Sequence, residues 1–407
     1  MKYKLSELAF YSTEKIEIDK VDESNYISTE NILPNKSGIC LADKLPQIKK
    51  VNAYKNGDIL ISNIRPYFKK IWFANRDGGH SADVLNFRAK EGVSNRFLYA
   101  LLFQDSFFNQ MVLSSKGTKM PRGDKNAIMN LEFEVPSYSK QEKISDILFY
   151  FQDKIELNNQ IISNLEELAS TLFKRWFVDF EFPDENGNPY KSSGGKMVDS
   201  ELGEIPEGWE ITELKSIVDV VDNRGKTPPL EKDKTDFPII DVKTLSGNGR
   251  VVNYNKAQKY VSEETYSSWF RSGHPKINDI LISTVGSIGE IKMFLTDKGT
   301  IAQNVVGLRA KKHLEYHLYQ FLLYNKSNLI TYNIGSVQPS IKVTHLLKHK
   351  VLLPNKKDLN KFNSVMIGLT DKIINLSKEI NSLTEIRDSL LPKLLSGEIE
   401  LTEDEGV

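Results

Sequence analysis

Apolar residues return every seven positions between Lys140 and Phe177, at Ile144, Phe151, Leu165 and Leu172, with Asn158 standing in the same series. A neighbouring track, Ile147, Leu148, Ile155, Ile161, Leu168 and Trp176, completes one stripe. Held over about four heptads, this pattern predicts a coiled-coil seam rather than a helix lying on a sheet. At ~1.5 Å per residue the helix would be roughly 55 Å long. The pattern then repeats. Phe362, Leu369, Leu376, Leu383 and Leu390 form the same ladder 218 positions on (362 − 144), with Val365, Met366, Ile373, Ile380, Ile386 and Leu394 beside it.

Residues 1–138 alternate short β-branched and aromatic runs with turn signals. Asp58–Ser62 and Glu132–Val135 read as strands, and Arg96–Phe103 as a short buried helix. The same blocks return in the second half. Asn278–Ser283 matches Gly57–Ser62, and Arg309-Ala310-Lys311 matches Arg88-Ala89-Lys90, both 221 positions on (309 − 88). Gly335, Pro339 and Leu353-Pro354 match Gly117, Pro121 and Val135-Pro136, all 218 apart. The chain is a tandem duplication of class α+β. A mostly-β domain (1–138) precedes a long helix (139–182) and a Gly-, Pro- and Ser-rich linker (183–200). A second mostly-β domain (201–355), a second helix (356–397) and a tail (398–407) follow. Paired antiparallel, the two helices would form a coiled coil with a pseudo-twofold axis at its midpoint. Asn158 would then face Leu376 and help fix register.

Composition narrows the class without naming a function. The 407 residues are 27% charged and 40% hydrophobic, with zero formal net charge. No apolar run long enough for a membrane span and no leader pattern is present, so a cytoplasmic protein is expected. One cysteine, Cys40, supports neither an internal disulfide nor a thiolate metal site.

Several strings imitate catalytic sites. Gly225-Lys226-Thr227 lacks the upstream glycine of a phosphate loop, and Pro228-Pro229 follows where a helix should begin. Asp279, Glu290 and Lys292 have the spacing of a Mg²⁺-dependent nuclease. The first half keeps Asp58 but carries Lys69-Lys70-Ile71 where Glu-x-Lys should stand, which makes the aspartate a strand-entry residue. His313/His317 and His345/His349 lack a third ligand at suitable spacing. No glycine-rich methyl-donor loop follows a strand. The reading is a chain without a catalytic or metal site of its own.

Binding remains. Arg65, Tyr67, Lys69 and Lys70 cluster in the first half, and Lys116, Lys119, Arg122 and Lys125 occupy a Gly- and Pro-punctuated loop with only Asp124 opposing. In the second half Arg224, Lys226 and Thr227 open a loop, and Ser336, Gln338 and Lys342 stand where the first half has its basic loop. Basic and amide side chains on such loops suit phosphate and base-edge contacts. The loops match in place and differ in content, as two readers of two different short sequences would.

The mid-chain junction carries a resemblance. It runs from Phe173-Lys174-Arg175-Trp176-Phe177-Val178-Asp179-Phe180 to Gly203-Glu204-Ile205-Pro206-Glu207-Gly208-Trp209. With Gly335–Pro339 and Ser389–Ile399, it is similar to blocks of the specificity subunits of type I restriction-modification systems. The resemblance covers essentially the whole chain, apart from the N-terminus, which lacks the Ile-Pro-x-Gly-Trp lead-in of the second half. It implies two target-recognition domains, each reading one part of a bipartite double-stranded DNA target. The helices would set the spacer and dock two modification subunits, through a seam of Ile144, Phe151, Asn158, Leu165, Leu172, Phe362, Leu369, Leu376, Leu383 and Leu390. S-adenosylmethionine would sit on those partners, and ATP and Mg²⁺ on two restriction subunits where a system has them. Two other classes are weighed against it: the nuclease of Asp279, Glu290 and Lys292, and a coiled-coil scaffold that never touches DNA.

Overall fold

Ile59–Ser62 is buried along its whole length, as a continuous apolar run bounded by turn signals predicts. It is an inner strand of an antiparallel sheet ordered Ala9–Tyr11, Val84–Ala89, Ile59–Ser62, Ile71–Phe73. The second half builds the same sheet from Val218–Asp222, Val305–Ala310, Ile280–Ser283 and Ile291–Met293. The register repeats as well: Ile59 faces Phe87 and Ile280 faces Leu308, each 221 positions on (280 − 59, 308 − 87). This computed structural model describes residues 2–335 and 338–401. They form two units, Met1–Glu156 with Asn381–Val407, and Leu157–Ile380.

In the first unit the helix Asn95–Phe103 lies in the core, with every residue from Phe97 to Phe103 buried. Packed with it are Ile144 and Leu148 of the long helix Tyr138–Phe177, and Leu391 and Leu394 of the long helix Lys356–Ser396. A second sheet, ordered Lys15–Glu17, Lys50–Tyr54, Gly78–His80, Tyr26–Ile27, flanks the first. Its glycines are steric requirements, because a Cβ at Gly78 would overlap the Asn25 carbonyl. The opening strand Lys2–Lys4 pairs with Glu132–Glu134, as Glu210–Glu213 pairs with Lys350–Leu353 in the other unit. The opening segment therefore packs as its second copy does.

In the second unit Phe362 is buried against Trp176 and Phe177, with ring centroids 5.8 and 4.8 Å apart. In each unit, the start of one long helix meets the end of the other, so the pairing is antiparallel in both. The helices also lie on their own domain. Ala169, Phe173 and Phe177 share one core with Leu318 and Leu322. This corrects the choice between a seam and a sheet-packed helix, because each helix does both. The buried stripe turns toward the domain. Leu168, Val365 and Ile386, expected in the second track, are therefore 45%, 42% and 47% exposed. Among the seam positions Ile144, Asn158, Phe362 and Leu376 are buried, while Phe151, Leu165, Leu172, Leu369, Leu383 and Leu390 are half-buried.

The segment expected to be a linker is folded. Phe182 stacks on Tyr190 and Trp209, with centroids 4.5 and 5.0 Å apart. Asp184 accepts from the Asn186 and Asn188 amides, and Met197–Val198 pairs with Ile205–Pro206. Its turn residues satisfy one another, and its one aromatic, Tyr190, is half-buried against Phe182.

Candidate nucleic-acid interface

Each domain carries one loop clipped to the end of its central strand, and the clip is the same twice. The Arg65 amide donates to the Pro121 carbonyl at 2.8 Å, and the Gly286 amide donates to the Pro339 carbonyl at 3.0 Å. Ile64 bridges Arg122 as Val285 bridges Ser340. The Lys116 and Ile334 amides, 218 apart (334 − 116), close the two loops on the Arg122 and Ser340 carbonyls. Below each clip, Asn63 and Thr284 take the same backbone bond, to the Asp83 and Asn304 carbonyls.

These places hold polar atoms with no partner among the described residues. Asn63 Oδ1 and Arg65 Nε are buried and unpaired in the first domain, and Thr284 Oγ1 and Asn304 Oδ1 in the second. Asn63 and Thr284 are the matched pair among them, 221 positions apart (284 − 63), in a setting where buried polar atoms are nearly always paired.

The clip holds the Arg65 backbone against Pro121 and the Lys116 backbone against Arg122, and the segments it joins expose Tyr67, Lys116, Lys119 and Arg122 at the surface. Tyr67 is about half exposed and packs against Phe68, their centroids 4.7 Å apart, in a one-turn helix. That turn is flanked by left-handed residues, Arg65 and Lys69, both at φ 50°. Lys69 and Lys70 do not join the surface. Lys69 is paired with Asp105 at 2.7 Å, and the Lys70 ammonium donates to the Thr29 carbonyl in a half-buried site that lowers its pKa. Nor is Asp124 the only opposing charge. Lys116 pairs with Asp124 at 2.6 Å, but Arg122 pairs with Asp83 at 3.1 Å. Asp124 caps the helix Lys125–Met129, and its bonds to Lys116 and to that helix's amides hold its carboxyl below the usual range. Lys119 is exposed without an ion pair among the described residues, and Lys125 lies over the Tyr11 ring at 6.0 Å.

In the second domain Gln338 and Lys342 are exposed beside the clip, while Ser336 lies outside the described residues. Lys342 occupies the helix-cap position that Asp124 fills in the first copy, and no side chain caps that helix. Thr227 reaches the same neighbourhood through Gln303, whose Nε2 donates to Thr227 Oγ1 at 3.3 Å. Lys226 is exposed without an ion pair among the described residues, whereas Arg224 folds back on Asp222. Sequence reasoning missed Gln303, Asn304, Asn63 and Asp83, which no local motif sets apart.

The nuclease trio is dispersed. Asp279 is 2% exposed and takes Arg309 at 2.8 Å, as Asp58 takes Arg88 at 2.7 Å. Glu290 pairs with Lys326, and the Lys292 ammonium is held by the carbonyls of Gly247, Asn248 and Gly249. His317 is buried among Phe173 and Phe177, and His349 Nδ1 lies 2.8 Å from the Tyr332 hydroxyl. Among the described residues no three His, Cys, Asp or Glu side chains gather as a metal site, and no helix is long and apolar enough to cross a membrane.

Comparison with known proteins agrees with this geometry. The chain is 28% identical to the MjaIX type I restriction enzyme specificity subunit of Methanocaldococcus jannaschii over 328 residues, 78% of this chain and 72% of that one. It is 24% identical to the HindI specificity subunit of Haemophilus influenzae, over 98% of this chain and 99% of the relative. The crystal structure of a type I restriction-modification S subunit from M. genitalium shares the fold, with a TM-score of 0.58 at 16% identity over 99% of this chain and 96% of that one. The family described as the type I restriction modification DNA specificity domain matches twice, at residues 2–167 and 206–385, and the chain belongs to that family as a specificity subunit.

Proposed function

We propose that this subunit reads a bipartite DNA target with its two clipped loops, one half-site per domain, and performs no chemistry itself. The observation that carries the reading is the repeated clip with unpaired buried polar atoms beneath it and different side chains above it. Lys119 and Arg122 with Tyr67 would meet one half-site; Gln338, Lys342, Lys226 and Thr227 would meet the other. Lys and Arg on such loops position the duplex through phosphates, while Gln, Asn and Arg discriminate base edges.

Two modification subunits would dock on the long helices and bring S-adenosylmethionine to adenine N6. Restriction subunits, where the system has them, would add ATP- and Mg²⁺-dependent cleavage. A zero net charge suits a reader that shares its DNA with more basic partners. The test is a titration of labelled target duplex with the subunit alone and with its modification partner. The expected result is weak, salt-sensitive binding alone and tight, sequence-dependent binding in the complex. Equal affinity and specificity in both forms would contradict it.

A further inference from the structure

Arg250 has no exposed surface, yet it carries a full charge into the contact between its domain and the helices of its own unit. Its Nη2 lies 2.8 Å from Glu166 Oε2 on the first long helix, and its Nε lies 3.1 Å from Glu166 Oε1. Its Nη1 donates to Thr370 Oγ1 on the second long helix, and its guanidinium lies 5.5 Å over the Tyr319 ring. The Arg250 amide also donates to Glu166 Oε1, at 2.7 Å. Lys292 holds the three preceding carbonyls, so the loop presents Arg250 from a fixed base.

The first unit has the same seat with its parts exchanged. Tyr99 stands for Tyr319, 220 positions earlier (319 − 99), and Gln152 stands for Thr370, 218 earlier (370 − 152). Gln152 Nε2 donates to the Tyr99 hydroxyl at 3.3 Å, and its Oε1 accepts from Arg387 Nη1. Here the arginine belongs to the long helix rather than to the domain. Counting the same 218 positions, Glu166 is replaced by Thr384 (384 − 166), and Arg387 stands where the second unit has Ala169 (387 − 169), itself fully buried.

We infer that this exchange is a key: the second recognition domain is matched to the second seat and rejected by the first. The inference rests on reading the chain as two recognition domains on one pair of helices. In the first seat Arg250 would meet Arg387 at Gln152 and find a threonine where it needs a carboxylate. A buried guanidinium without its counter-ion, beside a like charge, is strongly disfavoured. In its own seat, Ala169 leaves room for the arginine and Glu166 neutralises it. Glu166 and Arg387 are thus positioning residues that decide which domain may occupy which seat.

The test uses full-length chains co-expressed with the modification subunit. In one, residues 206–354 replace residues 1–136, so that the second domain occupies both seats. With the helices unchanged, soluble complex should fall to a tenth of wild type or less. The same chain carrying T384E and R387A should recover at least tenfold, and should modify a target whose two ends carry the same half-site. In the native chain, E166Q should lower the soluble yield, and adding R250M should restore most of it. Equal yields of the two chimaeras, whether high or low, would overturn the key, as would R250M failing to rescue E166Q. The yields do not depend on DNA reading. Absence of a split motif from the wild-type control would count against the specificity role instead, and leave the seat comparison intact.

Discussion

Asp279 accepts from Arg309 Nη2 at 2.8 Å and from Nε at 3.1 Å, while the Lys276 amide donates to the same carboxylate at 2.8 Å. Asp58 makes the same set with Arg88 and the Lys55 amide. The aspartate is therefore a strut that closes the turn into the central strand of each domain. It stiffens the strand from whose far end the reading loop is clipped. D58N or D279N leaves a guanidinium facing a neutral amide in a largely buried site. Each should cost about 3 kcal/mol of stability, read as a lowered Tm, without changing the DNA motif. A purified chain carrying D279N should differ from wild type in no Mg²⁺-dependent nicking assay.

Substitution of the loop residues should separate the half-sites. K119A or R122A should weaken discrimination at one half-site, and Q338A or K342A at the other, by roughly 1–3 kcal/mol where a base contact is lost. Competition with duplexes altered in one half at a time checks this. A substitution that relaxes both halves equally would contradict the assignment of one domain to each half-site. Because Lys69 is already held by Asp105, K69A should change affinity less than K119A does.

Truncation at the helix contact should act through packing. Phe362 is 1% exposed and touches the rings of Phe173, Trp176 and Phe177. F362A should cost about 3–5 kcal/mol. Chemical denaturation measures it, with the slope unchanged if only stability moves.

Mild acid should destabilise both units. Burial pushes the pKa of His317 down to about 3 and that of His80 down to about 4. In the unfolded chain each takes up a proton near its ordinary value of about 6.5, and the folded chain does not. Stability is therefore whole above about pH 6.5 and falls as pH drops toward these lowered values, at ~1.4 kcal/mol per unit for each histidine. By pH 5 His317 alone should have cost about 2 kcal/mol. H317L should flatten the dependence of Tm on pH between 7 and 5, and an unchanged slope would contradict this.

The frame of the protein is legible in its sequence because it is written in local patterns. The two heptad ladders, the paired Ile-Leu-Ile-Ser strands and the helix at Asn95–Phe103 each follow from periodicity or a buried apolar run. What escapes is set by residues far apart in the chain. Asp105 and Asp83 neutralise Lys69 and Arg122 from distant segments, so a basic cluster in sequence becomes a partly paired surface in space. Leu168 is exposed because its helix answers to a domain as well as to a partner helix, and heptad spacing registers only the partner. The segment after Phe182 has a linker's composition, yet Phe182 and Tyr190 stack upon each other and bind it down. Arg250 gave no signal at all, since an isolated arginine shows its partner only when folded.

The most direct test of two domains reading two half-sites is methylome sequencing of cells expressing this subunit with its modification partner, before and after exchange of residues 1–138 for another first domain. The account predicts a split motif with a fixed gap and N6-methyladenine on both strands, of which the exchange alters one half and leaves the other half intact. A continuous motif, or an exchange that rewrites both halves, would contradict it.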